Sequence, residues 1–405
     1  MLAPSIVLIA VLLLLPLVIG DFWAFQLGLY YLYAMGALGI GICWGQAGFL
    51  PLGQAMFFGL SAYLSGFALI YFEASWWLLL LLPLAAAVSG LLAYGIGLLV
   101  FRGRTESGPY FSLITLAISL LVFQVANNWN SVTGGFNGLK GIPGLPGLDD
   151  YSSTYYVAAI ALSLVGLGAA WLLQAPLGVL WRALAQNERR VAFFGFSTTQ
   201  LKAVAFGVSG LLGGIGGVIY APQQGLVTPQ LCGFLLSADL VIWAAVGGRN
   251  RLLGPIAGAL AVGILTSELR DRVFFWEVIL AIFFIVVVLY FPNGIIGAIE
   301  PLYRPLPRRA VRSPSQAAPA RERKTAALQL DIAGISARIG EVLILDDLWL
   351  LIDRPGIFCI IGPNGAGKTS TFNLLTGELK SQDGRVALDG AEITGLAPER
   401  VIRLG

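Results

Sequence analysis

The residues best suited to chemistry lie late in the chain, where "GPNGAGKTS" (362–370) fits G-x-x-x-x-G-K-[ST] without a mismatch. Glycines 362, 365 and 367 free the backbone to curl, so that successive N–H groups converge on phosphate oxygens. A helix starting inside the motif adds its positive end. Lys368 is expected to reach the β- and γ-phosphates of a nucleotide, and the Thr369 hydroxyl to ligate Mg²⁺. ATP and Mg²⁺ are therefore the expected cofactors. Their holders would be Gly362, Pro363, Asn364, Gly365, Ala366, Gly367, Lys368, Thr369 and Ser370.

Such a loop needs a strand before it and a helix after it. The apolar run 356–361 is expected to be a buried strand and 368–379 the helix, with further strands at 328–332, 343–352 and 384–390. Hydrolysis also needs a later acid, at the end of an apolar strand, to hold the metal ion. The acids after the loop (Glu378, Asp383, Asp389, Glu392, Glu399) have no apolar strand leading into them. No catalytic residue is assigned, and this chain alone is not expected to hydrolyse ATP.

The rest of the chain belongs to another solvent. Of 405 residues 57% are hydrophobic and 12% charged, against about a quarter charged in soluble domains. Apolar runs recur at 5–20, 24–44, 52–72, 76–101, 110–126, 154–173, 201–221, 231–248, 252–267 and 274–292. Most approach the ~20 residues that cross a ~30 Å hydrocarbon core. The first has no positive flank before it and reads as a retained helix rather than a cleaved signal. The expected fold is a polytopic α-helical membrane protein of about 8–10 transmembrane helices followed by a partial α/β P-loop domain. Its divisions are 1–300 in the membrane, a linker over 301–327, and 328–405. The linker has seven basic residues against the single acid Glu322, which suits a juxtamembrane segment near anionic lipid or a plain solvated tether. Cys43, Cys232 and Cys359 are too scattered for a disulfide framework or zinc site, and the absence of histidine removes the commonest general base. No feature points to nucleic acid.

Basic residues set the orientation. Arg102 and Arg104 in one loop, and Arg182, Arg189, Arg190 and Lys202 around another, place both loops in the cytoplasm and 127–153 outside. The segment 252–267 must then cross so that the phosphate loop meets cytosolic nucleotide, although this leaves Arg270 and Arg272 on the outer side. The glycines of "GVSGLLGGIGG" (207–217) allow close helix approach. Asp239 is an acid within an expected span. It either lines the translocation path or, if the helix begins later, is interfacial.

The stretch "IIGPNGAGKTSTFNLLTGELKSQDGRVALDGAEITGL" resembles the opening of an ABC transporter ATPase of the branched-chain amino acid and urea importers. The membrane part is similar to the permeases of the same importers in "GQAGFLPLGQAMFFGLSAY" (45–63), in "LKGIP" (139–143) after "TGG" (133–135), and in "PNG" (292–294). The resemblance implies ATP-driven import through a second permease subunit, ABC ATPase subunits and a periplasmic or extracellular substrate-binding protein, in the bacterial cytoplasmic (inner) membrane. It implies that 178–195 is a coupling loop whose Glu188, Ala192 and Gly195 match the spaced Glu, Ala and Gly that dock on the ATPase. The usual adenine-stacking aromatic is replaced by Ile339, and the downstream ATPase motifs would fall beyond Gly405. A fragment of a permease–ATPase fusion is therefore expected, in preference to a remnant tail. Branched-chain amino acids lead as substrate, with urea or a short amide in competition; "PQQG" (222–225) and "WAAVGGR" (243–249) are similar to the urea-type permeases. A nucleotide-regulated channel or secondary carrier is the alternative of another class.

Overall fold

The computed structural model describes residues 16–72, 77–102, 108–146, 151–270, 272–291, 293–299, 329–339, 341–354, 356–363 and 365–404. Most of the expected first span, the linker 301–327 and Asn364 lie outside them. The chain forms two units, 1–188 with 198–304, and 189–197 with 305–405.

In the first unit, helix α1 (Pro16–Ile40) continues as a π-helical turn, Gly41–Gln46, and Gly20 breaks its first turns with φ +73°. Then come α2 (Ala55–Tyr71), α3 (Leu78–Phe101), α4 (Gly108–Asn128) and α5 (Tyr151–Gln174). Two short helices, α6 (Pro176–Gln186) and α7 (Glu188–Phe193), precede α8 (Thr198–Gln224), α9 (Phe234–Gly247), α10 (Gly254–Arg270), α11 (Trp276–Tyr290) and α12 (Gly294–Ile299). Among the described residues five helical stretches, Gly20–Gln46, Leu80–Phe101, Pro109–Asn128, Ser153–Gln174 and Thr198–Gln224, are long and apolar enough to cross a bilayer.

The apolar run expected over 231–248 forms a shorter helix, Phe234–Gly247. Its helix has 14 residues, about 21 Å at 1.5 Å per residue, short of a ~30 Å core. Pro229 opens a 3₁₀ turn through Cys232, and extended Gly233 caps the helix, so the helical run cannot begin earlier.

Helix α8 packs on α1, α2 and α3, and its glycines explain how closely. A Cβ on Gly217 would stand 2.0 Å from the Phe58 carbonyl oxygen, and one on Gly216 would stand 2.5 Å from that of Leu32. Side chains there would push the backbones apart. Buried hydroxyl and amide groups fasten these contacts. Gln54 Nε2 donates to the Ser209 carbonyl at 2.7 Å, Ser209 Oγ donates to Gln54 Oε1 at 2.9 Å, and Ser65 Oγ donates to the Val218 carbonyl at 2.8 Å. With no water available at such depth, each polar group needs a partner of this kind.

Two clusters mark the ends of the unit. At one, β1 (Leu139–Lys140) pairs antiparallel with β2 (Leu226–Val227), bringing the 127–153 and 222–230 connections together. At the other, Thr199 Oγ1 donates to the Phe101 carbonyl at 3.2 Å, Phe101 stacks on Phe111 at 4.4 Å, and Arg249 lies 4.3 Å over Trp44. The end of α3 at Phe101 and the start of α8 at Thr199 thus meet at a shared end.

The second unit holds an antiparallel sheet of order β4-β3-β5-β6, from β3 (Leu330–Ile339), β4 (Val342–Ile352), β5 (Asp383–Leu388) and β6 (Ala391–Glu392). Ile332, Ile335, Leu345 and Val386 form its core together with Leu374 of α13 (Lys368–Leu375). A last helix, α14, spans Pro398–Leu404. Two expectations change here. The run 356–361 is not a strand, and its Ile357 and Ile361 are 103% and 88% exposed. A buried strand of this type needs hydrogen-bonding neighbours on both sides, and the described sheet offers it none. The helix after the loop stops at Leu375 rather than 379 because Gly377, at φ +80°, takes the left-handed position just past its end.

Candidate functional site

The phosphate-type loop turns on Gly365 and Gly367, at φ +89° and +77°, conformations that a side chain would strain. Gly367 is also hemmed in, since a Cβ would meet Leu345 Cδ2 at 2.9 Å and the Ile344 carbonyl oxygen at 3.0 Å. The first strand hairpin therefore fixes the loop's exit into α13. Lys368 folds back over the loop, its Nζ donating to the carbonyls of Gly362 at 2.7 Å and Pro363 at 2.6 Å. Thr369 is exposed in the first turn of α13, its hydroxyl open to solvent. These donors suit a polyphosphate, with a lone hydroxyl for a divalent cation. No group of three or more His, Cys, Asp or Glu side chains could hold a metal ion among the described residues. Asn364 lies outside the described residues. Ser370 is half-buried in the first turn of α13.

The stretch 178–195 is held in two helices, α6 and α7. Helix α6 is anchored by Trp181, fully buried, whose indole N–H donates to the Leu201 carbonyl at 2.9 Å, and by Arg182, which donates to the Leu173 carbonyl at 3.1 Å. Glu188 begins α7, Ala192 is buried, and Gly195 ends the segment at φ +81°. Residues 189–197 group with the second unit, whereas Glu188 belongs to the first.

Lys202, noted in the sequence only for its charge, is 2% exposed and forms an ion pair with Glu188. Its ammonium also lies 5.1 Å over the Phe101 ring. The partnership joins the start of α7 to the first turns of the central helix α8. The only sequence signal for it was a lysine set at the start of an apolar, glycine-rich run.

Asp239 stands in the second turn of α9. It lines a cavity of about 550 Å³ between α9, α10 and α11. Among the described residues no hydrogen bond or ion pair holds its carboxylate.

A bundle of apolar helices on one chain with a nucleotide-type phosphate loop defines a membrane transporter component of the ATP-driven class. Residues 23–291 match the family described as branched-chain amino acid transport system / permease component, and the chain belongs to that family. Residues 345–403 match the ABC transporter family, so the second unit is a nucleotide-binding fold. The first unit is 27% identical over 297 residues to the high-affinity branched-chain amino acid transport system permease protein LivM of Salmonella typhimurium, covering 67% of this chain and 69% of that protein. The LivM of Escherichia coli is 26% identical over the same shares. The second unit is 40% identical over 76 residues to the high-affinity branched-chain amino acid transport ATP-binding protein BraF of Pseudomonas aeruginosa, 19% of this chain and 30% of that protein. The chain is thus a multi-pass membrane permease carrying part of an ABC ATPase, a component that works with ATPase and permease partners.

Proposed function

We propose that this chain imports branched-chain amino acids across the bacterial cytoplasmic membrane, using nucleotide bound in part by its own phosphate loop. The observation that carries the reading is the permease-family match over 23–291 on the same polypeptide as an ABC transporter match over 345–403 that contains the phosphate loop. The end holding Arg102 and Arg182 faces the cytoplasm. The β1–β2 end faces outward, where a substrate-binding protein delivers its cargo. Anionic lipid attracts the basic linker.

The backbone N–H groups of 365–369 and the Lys368 ammonium hold the polyphosphate, and Thr369 Oγ1 is the protein's ligand to Mg²⁺. Bound nucleotide supplies the free energy that favours one state of the permease over another. The chain's own part is mechanical. Glu188, Ala192 and Gly195 form the docking segment, and the Glu188–Lys202 pair ties that segment to α8.

Uptake of labelled leucine and of labelled urea into vesicles, with wild type beside Lys368→Ala in the assembled transporter, tests this. Leucine should accumulate with wild type and fall to background with the variant. Undiminished uptake by Lys368→Ala overturns the role of the loop, and accumulation of urea in place of leucine overturns the substrate.

A further inference from the structure

The cavity between α9, α10 and α11 carries features that packing does not account for. Two opposite charges line it, Asp239 on α9 and Arg270 at the end of α10, and they make no ion pair with each other. The Arg270 guanidinium lies 5.4 Å over the face of Trp276 and meets no carboxylate among the described residues. The neighbouring Arg272 does have one, Glu268, at 2.6 Å. An acid and a base that share a cavity yet remain apart are each open to a separate charged group of a guest.

The surroundings restrict what that guest is. Asp239 is flanked by Leu235 and Ile242 on a helix within the apolar part of the chain. A carboxylate there cannot face acyl chains without a large desolvation cost, so it must face a partner or a wet path. The walls between the charges are apolar, with Ile242, Val262 and Leu280 among them, and Thr266 adds one hydroxyl. The volume, about 550 Å³, falls in the range of roughly 300–1,000 Å³ typical of small-molecule sites. Glu277 stands at the same mouth in the first turn of α11. It adds negative charge where a cationic group must enter. Trp243 of the cavity wall packs 5.5 Å from the ring of Tyr33, which lies 5.9 Å from that of Tyr220, so the Trp243 side is backed by aromatic surface.

Three simple guests each fail at least one condition. An inorganic cation satisfies Asp239 and leaves Arg270 open, a fatty acid does the reverse, and a neutral amide serves neither charge. A zwitterion with an aliphatic body satisfies all three conditions.

We infer that this cavity is a translocation subsite for an aliphatic amino acid zwitterion, with Asp239 receiving the α-ammonium, Arg270 the α-carboxylate, and the apolar walls the branched side chain. The inference rests on the import reading above and deepens it by assigning the residues that meet the substrate inside the membrane. The Trp276 face holds the guanidinium in place from one side, leaving its N–H edge for a carboxylate.

The test uses the complete transporter in proteoliposomes with its substrate-binding protein, comparing wild type with Asp239→Asn, Arg270→Gln and, as a control outside the cavity, Arg272→Gln. Co-elution of the subunits reports assembly. Losing a charged hydrogen bond to the substrate should cut leucine uptake about tenfold or more for Asp239→Asn and Arg270→Gln, while Arg272→Gln transports as wild type. Asp239→Glu should recover part of the loss, which a purely structural role would not predict. Wild-type uptake by an assembled Asp239→Asn or Arg270→Gln variant overturns the inference and leaves the import reading intact; failure of wild type to take up leucine strikes that reading itself.

If either charge variant fails to assemble, Thr266→Cys in a Cys359→Ser background gives a second reading. Leucine must slow modification of that thiol by a water-soluble reagent, whereas 4-methylpentanoate, which lacks the ammonium, and 3-methylbutylamine, which lacks the carboxylate, must not. Equal labelling rates with and without leucine, the result expected if a second permease subunit fills the groove, overturn the proposal.

Discussion

Lys202→Met is expected to destabilise the membrane unit by about 3–5 kcal/mol, because it strands the Glu188 carboxylate without its counter-ion. Glu188 keeps 17% of its exposure, and partial solvation favours the lower half of that range. The companion Lys202→Met/Glu188→Gln should recover much of the loss, since two neutral groups of similar shape replace the pair. Thermal unfolding of the four proteins of the double-mutant cycle, in one detergent, measures this. A coupling energy below about 1 kcal/mol would class the pair with weak surface bridges and remove it as the link between α7 and α8. The same variants carry a functional reading. On the function proposed above, Lys202→Met should lose leucine uptake while still binding nucleotide, because the segment that begins at Glu188 is then no longer tied to the central helix.

A second large effect lies where α9 crosses α10. A Cβ on Gly258 would stand 1.9 Å from the Trp243 carbonyl oxygen, and one on Gly247 would stand 1.7 Å from that of Gly254. Neither neighbour is a flexible side-chain end; both are backbone. Gly258→Ala is therefore expected to cost at least the ~1–3 kcal/mol usual for overpacking and to lower the yield of assembled transporter. Gly166→Ala, on α5 with nothing within 4 Å of its Cβ, should be neutral or stabilising by up to about 1 kcal/mol. Melting temperatures that fall equally in the two variants would refute the close-crossing explanation.

These contrasts also mark how far the sequence could be read. The crossing helices were legible because hydrocarbon imposes length and apolarity on any segment that crosses it. The phosphate loop was legible because its backbone demands glycines at fixed spacing. The glycines at 207–217 could be read as packing residues, but the atoms they admit, such as the Phe58 carbonyl under Gly217, belong to a distant helix that spacing alone cannot identify. The Glu188–Lys202 pair was hidden for the same reason. Lys202 had counted only toward orientation, and its burial depends on how α7 and α8 fold back together. The run 356–361 shows the opposite failure. Its residues have the composition of a buried strand, but strand formation is settled by neighbours, and composition does not say whether those are present. Asp239 left two readings open in the sequence, and the structure sets it in the second turn of a half-length helix, on a cavity wall.

The glycine surface of α8 has a mechanical corollary. Where helices interlock through large side chains, sliding one past another means lifting every knob out of its hole, so movement is coarse and costly. Along its glycine face α8 bears backbone against backbone, as at Gly216 and Gly217, whereas elsewhere side chains such as Phe206 interlock with Phe57 and Phe111. On the glycine face a small axial shift is resisted by polar fasteners, Gln54–Ser209 and Ser65–Val218 among them. Each such hydrogen bond contributes a net ~1 kcal/mol. Breaking one of these catches is therefore expected to loosen the glycine face of α8 more than trimming an apolar side chain there, and Lys202 ties the start of the same helix to Glu188.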